Sequence, residues 1–197
     1  MRNFVTIPAE IEIKLRVDDF TAVRAALVSA GAQALGTDRE LNIFFDRPDK
    51  SLRADGAGLR LRWLWHNQAV EPQALLTWKG QAVSSAMHHR PSLDISVAPP
   101  QQMAALLEML GFAQTLAFEK LRESWRLETS RIELDQLPEL GNFVEIEGPT
   151  EAAVLAMQKR LDLFGRPIET HTYIALVERH LHDHPADDNT LRFKRGG

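Results

Sequence analysis

The 197-residue chain contains no cysteine. This absence excludes disulfide bonds, thiolate metal sites and cysteine nucleophiles, so any metal must be bound through oxygen or imidazole ligands. The chain also lacks an apolar run near the length of a membrane span and a signal-peptide-like apolar segment at its N-terminus. We therefore expect a soluble cytoplasmic protein with no membrane partner.

Positive charge is not in excess either, because the formal net charge is −4 at pH 7. This balance argues against a general nucleic-acid surface but is compatible with a cationic pocket inside an acidic exterior. The length is near that of one domain, and the apolar fraction can fill one core. We expect a single domain over residues 1–178 and a polar, mobile tail over residues 179–197.

What the sequence does contain is a repeated strand pattern with charges on one face. In residues 10–16, charged side chains at every second position alternate with Ile11, Ile13 and Leu15. The same alternation returns in residues 59–63, 76–79, 118–122 and 143–147. Because side chains alternate between the two faces of a strand, strands that share one sheet would collect these charges on one surface.

The order of the elements predicts the fold class. We expect about eight strands and three or four helices, in the order strand, helix, four strands, helix, three strands, helices. Helix starts are indicated at Asp18, Pro99 and Thr150, and the fourth helix is expected over residues 172–181. The class is therefore α+β with a largely antiparallel sheet. An eight-stranded closed barrel with helices packed outside would give the charged faces a water-filled interior.

Two Glu-x-Glu pairs are candidates for a metal site. Glu10 with Glu12, and Glu145 with Glu147, each place two carboxylates on one face of a strand, and carboxylates suit hard cations such as Mg²⁺ or Mn²⁺. An exposed charged strand face would show the same spacing. Seven cations at inward-capable strand positions favour a site: Lys14, Arg60, Arg62, Lys79, Arg90, Lys120 and Arg122. Acids beside many cations are what a metal-bound polyphosphate requires.

Six motifs, in this order along the chain, resemble those of one family. They are Glu-x-Glu-x-Lys at 10–14, Phe-Phe-Asp at 44–46, Leu-Arg-x-Arg at 59–62, Thr-x-Lys-Gly at 77–80, Lys-x-Arg at 120–122, and the block 135–147. The chain resembles the CYTH superfamily, the triphosphate tunnel metalloenzymes, over residues 8–178. That superfamily includes class IV adenylyl cyclases, thiamine triphosphatases and inorganic triphosphatases.

The resemblance implies a tunnel in which cations bind a triphosphate and carboxylates bind Mg²⁺ or Mn²⁺. It places Glu10, Glu12, Asp94, Asp135, Glu145 and Glu147 at metal positions. It places Lys14, Arg60, Arg62, Lys79, Arg90, Lys120 and Arg122 at phosphate positions. Glu10, Glu12, Lys14, Arg62 and Lys79 would act in catalysis. One departure is that Ser92 and Asp94 stand where the family has two Glu residues, which would weaken a second metal or the positioning of the attacking water.

Three functions are open on this reading. The first is hydrolysis of inorganic triphosphate or a related small triphosphate, with tripolyphosphate, ATP and thiamine triphosphate as candidate substrates. The second is a class IV adenylyl cyclase that forms cyclic AMP and pyrophosphate from ATP. The third is a non-catalytic module that binds polyphosphate or a nucleotide, which only Ser92 favours. A homodimer is compatible with such a compact domain.

Overall fold

Nine strands and five helices make up the part of the chain that the computed structural model describes, residues 9–81 and 88–194, with the side chains of residues 9–10 and 88–90 left out. The strands are β1 Ala9–Val17, β2 Gln33–Asp46, β3 Gly58–His66, β4 Gln73–Lys79, β5 His88–Val97, β6 Ala113–Leu127, β7 Ser130–Leu137, β8 Gly141–Gly148 and β9 Thr190–Leu191. The helices are α1 Thr21–Ser29, α2 Ser51–Ala54, α3 Pro100–Met109, α4 Glu151–Arg160 and α5 Tyr173–Asp183. Within these ranges no helix is long and apolar enough to cross a membrane.

The strands form one sheet in the order β2-β3-β4-β5-β1-β8-β7-β6-β9. All pairings are antiparallel except that of β9 with β6. Strand β2 pairs with β3 and also with β6, in a register that runs from Gln33 opposite Arg126 to Asp46 opposite Ala113. The α+β class and the antiparallel sheet are therefore confirmed.

The apolar faces of the strands are buried under helices. Ile13 and Leu15 of β1 pack with α1 and α4 in one core cluster, and both side chains are inaccessible to solvent. Leu61 of β3 belongs to a second cluster with Leu107 of α3. Burial of these side chains leaves the charged side chains of the same strands on the opposite face, because alternate residues point to opposite faces.

Helix α5 packs on the charged face of the sheet, unlike the outside position that we expected for every helix. Its Leu176 and Val177 form a third cluster with Phe118 of β6 and Phe143 of β8. Phe118 precedes Lys120 by two residues, so the two side chains share a face. The α5 helix therefore covers part of the surface that carries the charges.

Two strands begin earlier than the alternation indicated, and one strand was not predicted. Residues 41–46 are rich in strand-forming side chains and predict a strand there, and the alternation predicts one from Phe118, whereas β2 begins at Gln33 and β6 at Ala113. The additional N-terminal residues of β2 include a register shift next to Gly36, and the φ of +122° at Gly36 interrupts the regular alternation of side chains. Strand β9 was missed because it has only two residues.

The expected start of a tail at residue 179 falls inside α5, which continues to Asp183. Further along, Leu191 of β9 pairs with Phe118 and is buried. The backbone N–H of Phe193 donates to the Glu119 carboxylate at 2.9 Å. Residues 189–193 of the expected tail thus contact the sheet.

Candidate active site

A cavity of about 1430 Å³ opens on the charged face of the sheet. All eight of the longer strands contribute side chains to it. The strands contribute seven cations, Lys14, Arg60, Arg62, Lys79, Lys120, Arg122 and Arg131, and eight carboxylates, those of Glu12, Asp38, Glu40, Asp46, Asp94, Glu133, Glu145 and Glu147. The structure therefore brings together every predicted site residue whose side chain it describes except Asp135, which lies behind the cavity wall.

Two predicted residues, Glu10 and Arg90, have side chains outside the described set. Their backbones are opposite each other in the pairing of β1 with β5. Asp94 lies at an exposed position of the cavity. Asp46, which belongs to the Phe-Phe-Asp motif, accepts hydrogen bonds from the backbone N–H groups of Leu52 and Arg53 and so holds the start of α2.

Asp135 anchors two of the cavity cations. Its oxygens accept from Arg122 Nε at 2.6 Å and from a terminal guanidinium nitrogen at 2.5 Å, and from Lys120 Nζ at 3.2 Å. Tyr173 donates its hydroxyl to the same carboxylate at 2.8 Å. Asp135 is completely buried, and a bidentate guanidinium–carboxylate pair fixes side-chain geometry. Asp135 therefore positions Lys120 and Arg122 at the cavity wall.

Lys14 is held between Glu145 of β8 and the residues His171 and Tyr173 at the start of α5. Its Nζ donates to the His171 carbonyl at 3.0 Å, lies 3.7 Å from Glu145 Oε1, and stands 4.1 Å from the centroid of the Tyr173 ring. Glu145 is also 2.6 Å from Arg122. Burial would raise the pKa of Glu145, but the charges of Arg122 and Lys14 outweigh it and hold the pKa at about 2. Glu145 is therefore ionised at neutral pH.

Arg60 and Arg62 are held far less tightly than Arg122. Arg60 reaches only Asn42 Oδ1 and Thr77 Oγ1, each at 3.4 Å, and Arg62 lies 3.7 Å from Glu40 Oε1. The buried Nε atoms of both have no hydrogen-bond partner among the described residues. Burial, and then repulsion by Arg62, lower the pKa of Arg60 to about 10. Buried guanidinium donors without acceptors are suited to an anion that brings its own oxygens.

Sequence reasoning missed several side chains of this polar surface, among them Glu40 and Tyr173, besides Asp38, Arg131 and Glu133. Glu40 is 1% exposed and lies among Lys120, Arg122 and Arg62. The available signal was the alternation of Glu40 and Asn42 with the apolar Leu41 and Ile43, which places Glu40 and Asn42 on one face of β2. Tyr173, the single tyrosine of the chain, opens α5. A tyrosine at a helix start gave no indication that it would reach the cavity.

Ser92 presents an unpaired hydroxyl at the cavity. It is 7% exposed, lies opposite Lys79 in the pairing of β4 with β5, and its Oγ has no hydrogen-bond partner within the described ranges. The preceding Pro91 stands where β5 changes partner, from β1 to β4. Pro91 is the last residue of β5 that pairs with β1, and Ser92 is the first that pairs with β4. The missing N–H of Pro91 is therefore accommodated at this change of partner, although β5 is not an edge strand.

The carboxylates of Glu12 and Glu147 suit a hard cation. The two residues are directly opposite in the pairing of β1 with β8, and both line the cavity. Like charges directly opposite repel, and a divalent ion between them would remove that repulsion. Among the described residues no cluster of three or more His, Asp or Glu is placed to hold a metal. Mg²⁺ is commonly bound by one or two carboxylates, with water and phosphate oxygens completing its shell, so this pair fits it.

Comparison with known proteins identifies relatives over most of the chain. A family profile described as CYTH domain matches residues 8–164. The adenylate cyclase CyaB of Aeromonas hydrophila is 26% identical over 184 residues, which cover 87% of this chain and 90% of the relative.

Solved structures share the fold. A protein of Pyrococcus horikoshii OT3 superposes with a TM-score of 0.75 at 23% identity, covering 87% of this chain and 99% of its own. A Hippeastrum protein described as having a dominant triphosphatase activity superposes with a TM-score of 0.62 at 22% identity, covering 87% of this chain and 96% of its own. The α5 helix and Tyr173 lie beyond the segment that the family profile matches.

Proposed function

The chain belongs to the CYTH domain family, as its motifs predicted, and on that premise we propose that it is an enzyme that cleaves a triphosphate in the cavity with Mg²⁺ or Mn²⁺. The observation that carries the proposal is the pair Arg60 and Arg62, whose buried Nε–H groups have no acceptor among the described residues. A phosphate chain supplies several charged oxygens at the spacing that guanidinium groups bind. We expect hydrolysis of tripolyphosphate or a related small triphosphate.

We infer further that strands β1 to β8 close into a barrel around the cavity. The support is that β2 has β3 on one side and β6 on the other, so that each of the eight strands has two paired neighbours. Closure would separate the phosphate-binding groups from bulk solvent, so that each charge acts more strongly than at an open surface. The ninth strand lies outside this circuit.

Residues at different positions of the cavity would have different roles. Arg60, Arg62 and Lys79 would bind the phosphate chain, and Lys14 and Arg122 would orient it from the wall that Asp135 and Glu145 support. Glu12 and Glu147, with Glu10, would hold the divalent ion, which when bound neutralises phosphate oxygens and activates water as a nucleophile. Charge that develops on the leaving phosphate would be stabilised by the same arginines that bind it.

Adenylyl cyclase activity is the second candidate, because the Aeromonas relative is named for it. Cyclisation of ATP needs the same phosphate and metal groups and, in addition, a site that directs the ribose hydroxyl to the α-phosphorus. Hydrolysis needs only water and the phosphate-binding and metal-binding groups, and the charged lining of the cavity supplies those groups.

The experiment that decides is product analysis of the purified protein with tripolyphosphate, ATP and thiamine triphosphate, each with Mg²⁺ or Mn²⁺. We expect orthophosphate and pyrophosphate from tripolyphosphate, with turnover reduced about 100-fold or more in a Glu10→Ala/Glu12→Ala variant. The exposed Glu71→Ala variant is the matched control and should keep its rate. Cyclic AMP from ATP would assign the cyclase instead, and binding without turnover of any substrate would refute the enzyme proposal.

A further inference from the structure

Glu40 is an ionised carboxylate in the middle of the phosphate-binding cations. Its Oε2 lies 3.3 Å from Lys120 Nζ, and its Oε1 lies 3.7 Å from Arg62 and 3.8 Å from Arg122. Burial opposes its charge, but the surrounding cations outweigh that effect and hold the pKa of Glu40 well below its usual range. The side chain therefore occupies, as an anion, the place to which these cations would draw phosphate oxygens.

The contacts of Glu40 are loose compared with those of Asp135. Asp135 accepts two hydrogen bonds from Arg122, at 2.5 and 2.6 Å, and further ones from Lys120 and Tyr173. Glu40 has one close hydrogen bond, from Asn42 Nδ2 at 3.1 Å, and its buried Oε1 accepts none from the described residues. Glu40 leaves one of its own oxygens and nearby N–H donors without hydrogen bonds. A phosphate group, which can accept from these donors more fully, should therefore displace Glu40 from them.

On the basis of the proposed function, we propose that Glu40 is an internal competitor for the phosphate-binding cations and sets the affinity of the cavity for phosphate anions. In the empty cavity it holds Arg62 and Lys120 in place. When a triphosphate binds, its oxygens take over these contacts, and when the cleaved products leave, Glu40 takes them back. Specificity and release of this kind rest on a built-in repulsive group as much as on attraction.

The test is the affinity for tripolyphosphate, measured by calorimetry in the presence of a chelator, for the wild type and for Glu40→Gln. Loss of one charge within roughly 4 Å of the binding cations should tighten binding by about tenfold or more. Glu40→Asp keeps the charge and should stay close to the wild type, and Glu71→Gln removes an exposed charge as the matched control. Pyrophosphate should also bind more tightly to Glu40→Gln, so that KM and kcat fall together as product release slows.

A second measurement covers the case in which Glu40→Gln is unstable, since its cations lose a counter-charge. The rise in melting temperature that tripolyphosphate produces reports the affinity for the folded state, and it should be larger for Glu40→Gln than for the wild type. Unchanged or weaker anion binding by Glu40→Gln would overturn the inference. Loss of Mn²⁺ binding by Glu40→Gln, measured with the metal alone, would also overturn it, because that loss would make Glu40 a metal ligand. If the wild type binds no tripolyphosphate, it is the proposed function that fails.

Discussion

Tyr173, the first residue of α5, connects this helix to the charged groups of the cavity. Its hydroxyl donates to Asp135, and its ring lies under the ammonium groups of Lys14 at 4.1 Å and Lys120 at 5.2 Å. Burial, with Asp135 and Glu145 nearby, keeps the pKa of Tyr173 well above its usual value, so the hydroxyl is a donor at neutral pH. One aromatic residue thus supports both a carboxylate and two cations of the site.

Replacement of Tyr173 separates these two contributions. Tyr173→Phe keeps the ring and should lower the free energy of unfolding by about 1 kcal/mol, because a buried hydrogen bond to Asp135 is lost. Tyr173→Leu also removes the cation–π contact with Lys14 and should lower kcat/KM further. Urea denaturation and initial rates measure the two effects. Equal kcat/KM values for both variants would show that the ring does not help to place Lys14.

At the scale of elements, two helices begin with the same cap but differ in what they carry. Thr150 accepts from the Ala153 N–H at 3.1 Å at the start of α4, and Thr172 accepts from the Ala175 N–H at 3.3 Å at the start of α5. Helix α4 packs on the apolar side of the sheet, whereas the first residue of α5 is Tyr173. The cap of α5 is therefore next to the site, and that of α4 is not.

The two caps predict different outcomes for the same substitution. Thr150→Ala and Thr172→Ala should each lower the free energy of unfolding by about 1 kcal/mol, since each leaves a helix N–H without its acceptor. Only Thr172→Ala should also lower kcat/KM, because it loosens the turn that places Tyr173. Chemical denaturation and steady-state kinetics measure both quantities. A comparable activity loss in Thr150→Ala would trace the effect to general stability.

At the scale of the whole molecule, the pairing of β2 with β6 determines whether the charged face is enclosed. In an antiparallel strand, alternate backbone N–H groups point to opposite neighbours. If β2 is paired on both sides, both alternating sets of its amides should be protected from hydrogen exchange to a similar degree. NMR-detected exchange resolves the two sets, with the exposed turn at Gln68 as the unprotected reference. Fast exchange of the set that faces β6 would mean an open sheet.

Local patterns predicted much of the architecture. Period-2 alternation located Lys14, Arg60, Arg62 and Lys120 on one face, because the direction of a strand side chain depends only on its position along the strand. A glycine after an apolar-periodic stretch predicts a helix end, and Gly31 and Gly111 indeed follow α1 and α3, where they adopt φ of +76° and +86°. The start of α1 was less well placed, since its N-cap is Phe20 and the expected Asp18 lies two residues earlier.

The sequence by itself therefore determined the family, the fold class and the residue types that face the cavity, because motifs and alternation are properties of adjacent residues. The tertiary structure alone decided the contacts between distant residues, such as the bond from Lys14 to His171 across 157 positions. It also placed α5 on the charged face and Glu40 among the cations. These placements depend on strand register and helix packing, which are fixed by the sum of many long-range contacts and leave no local pattern.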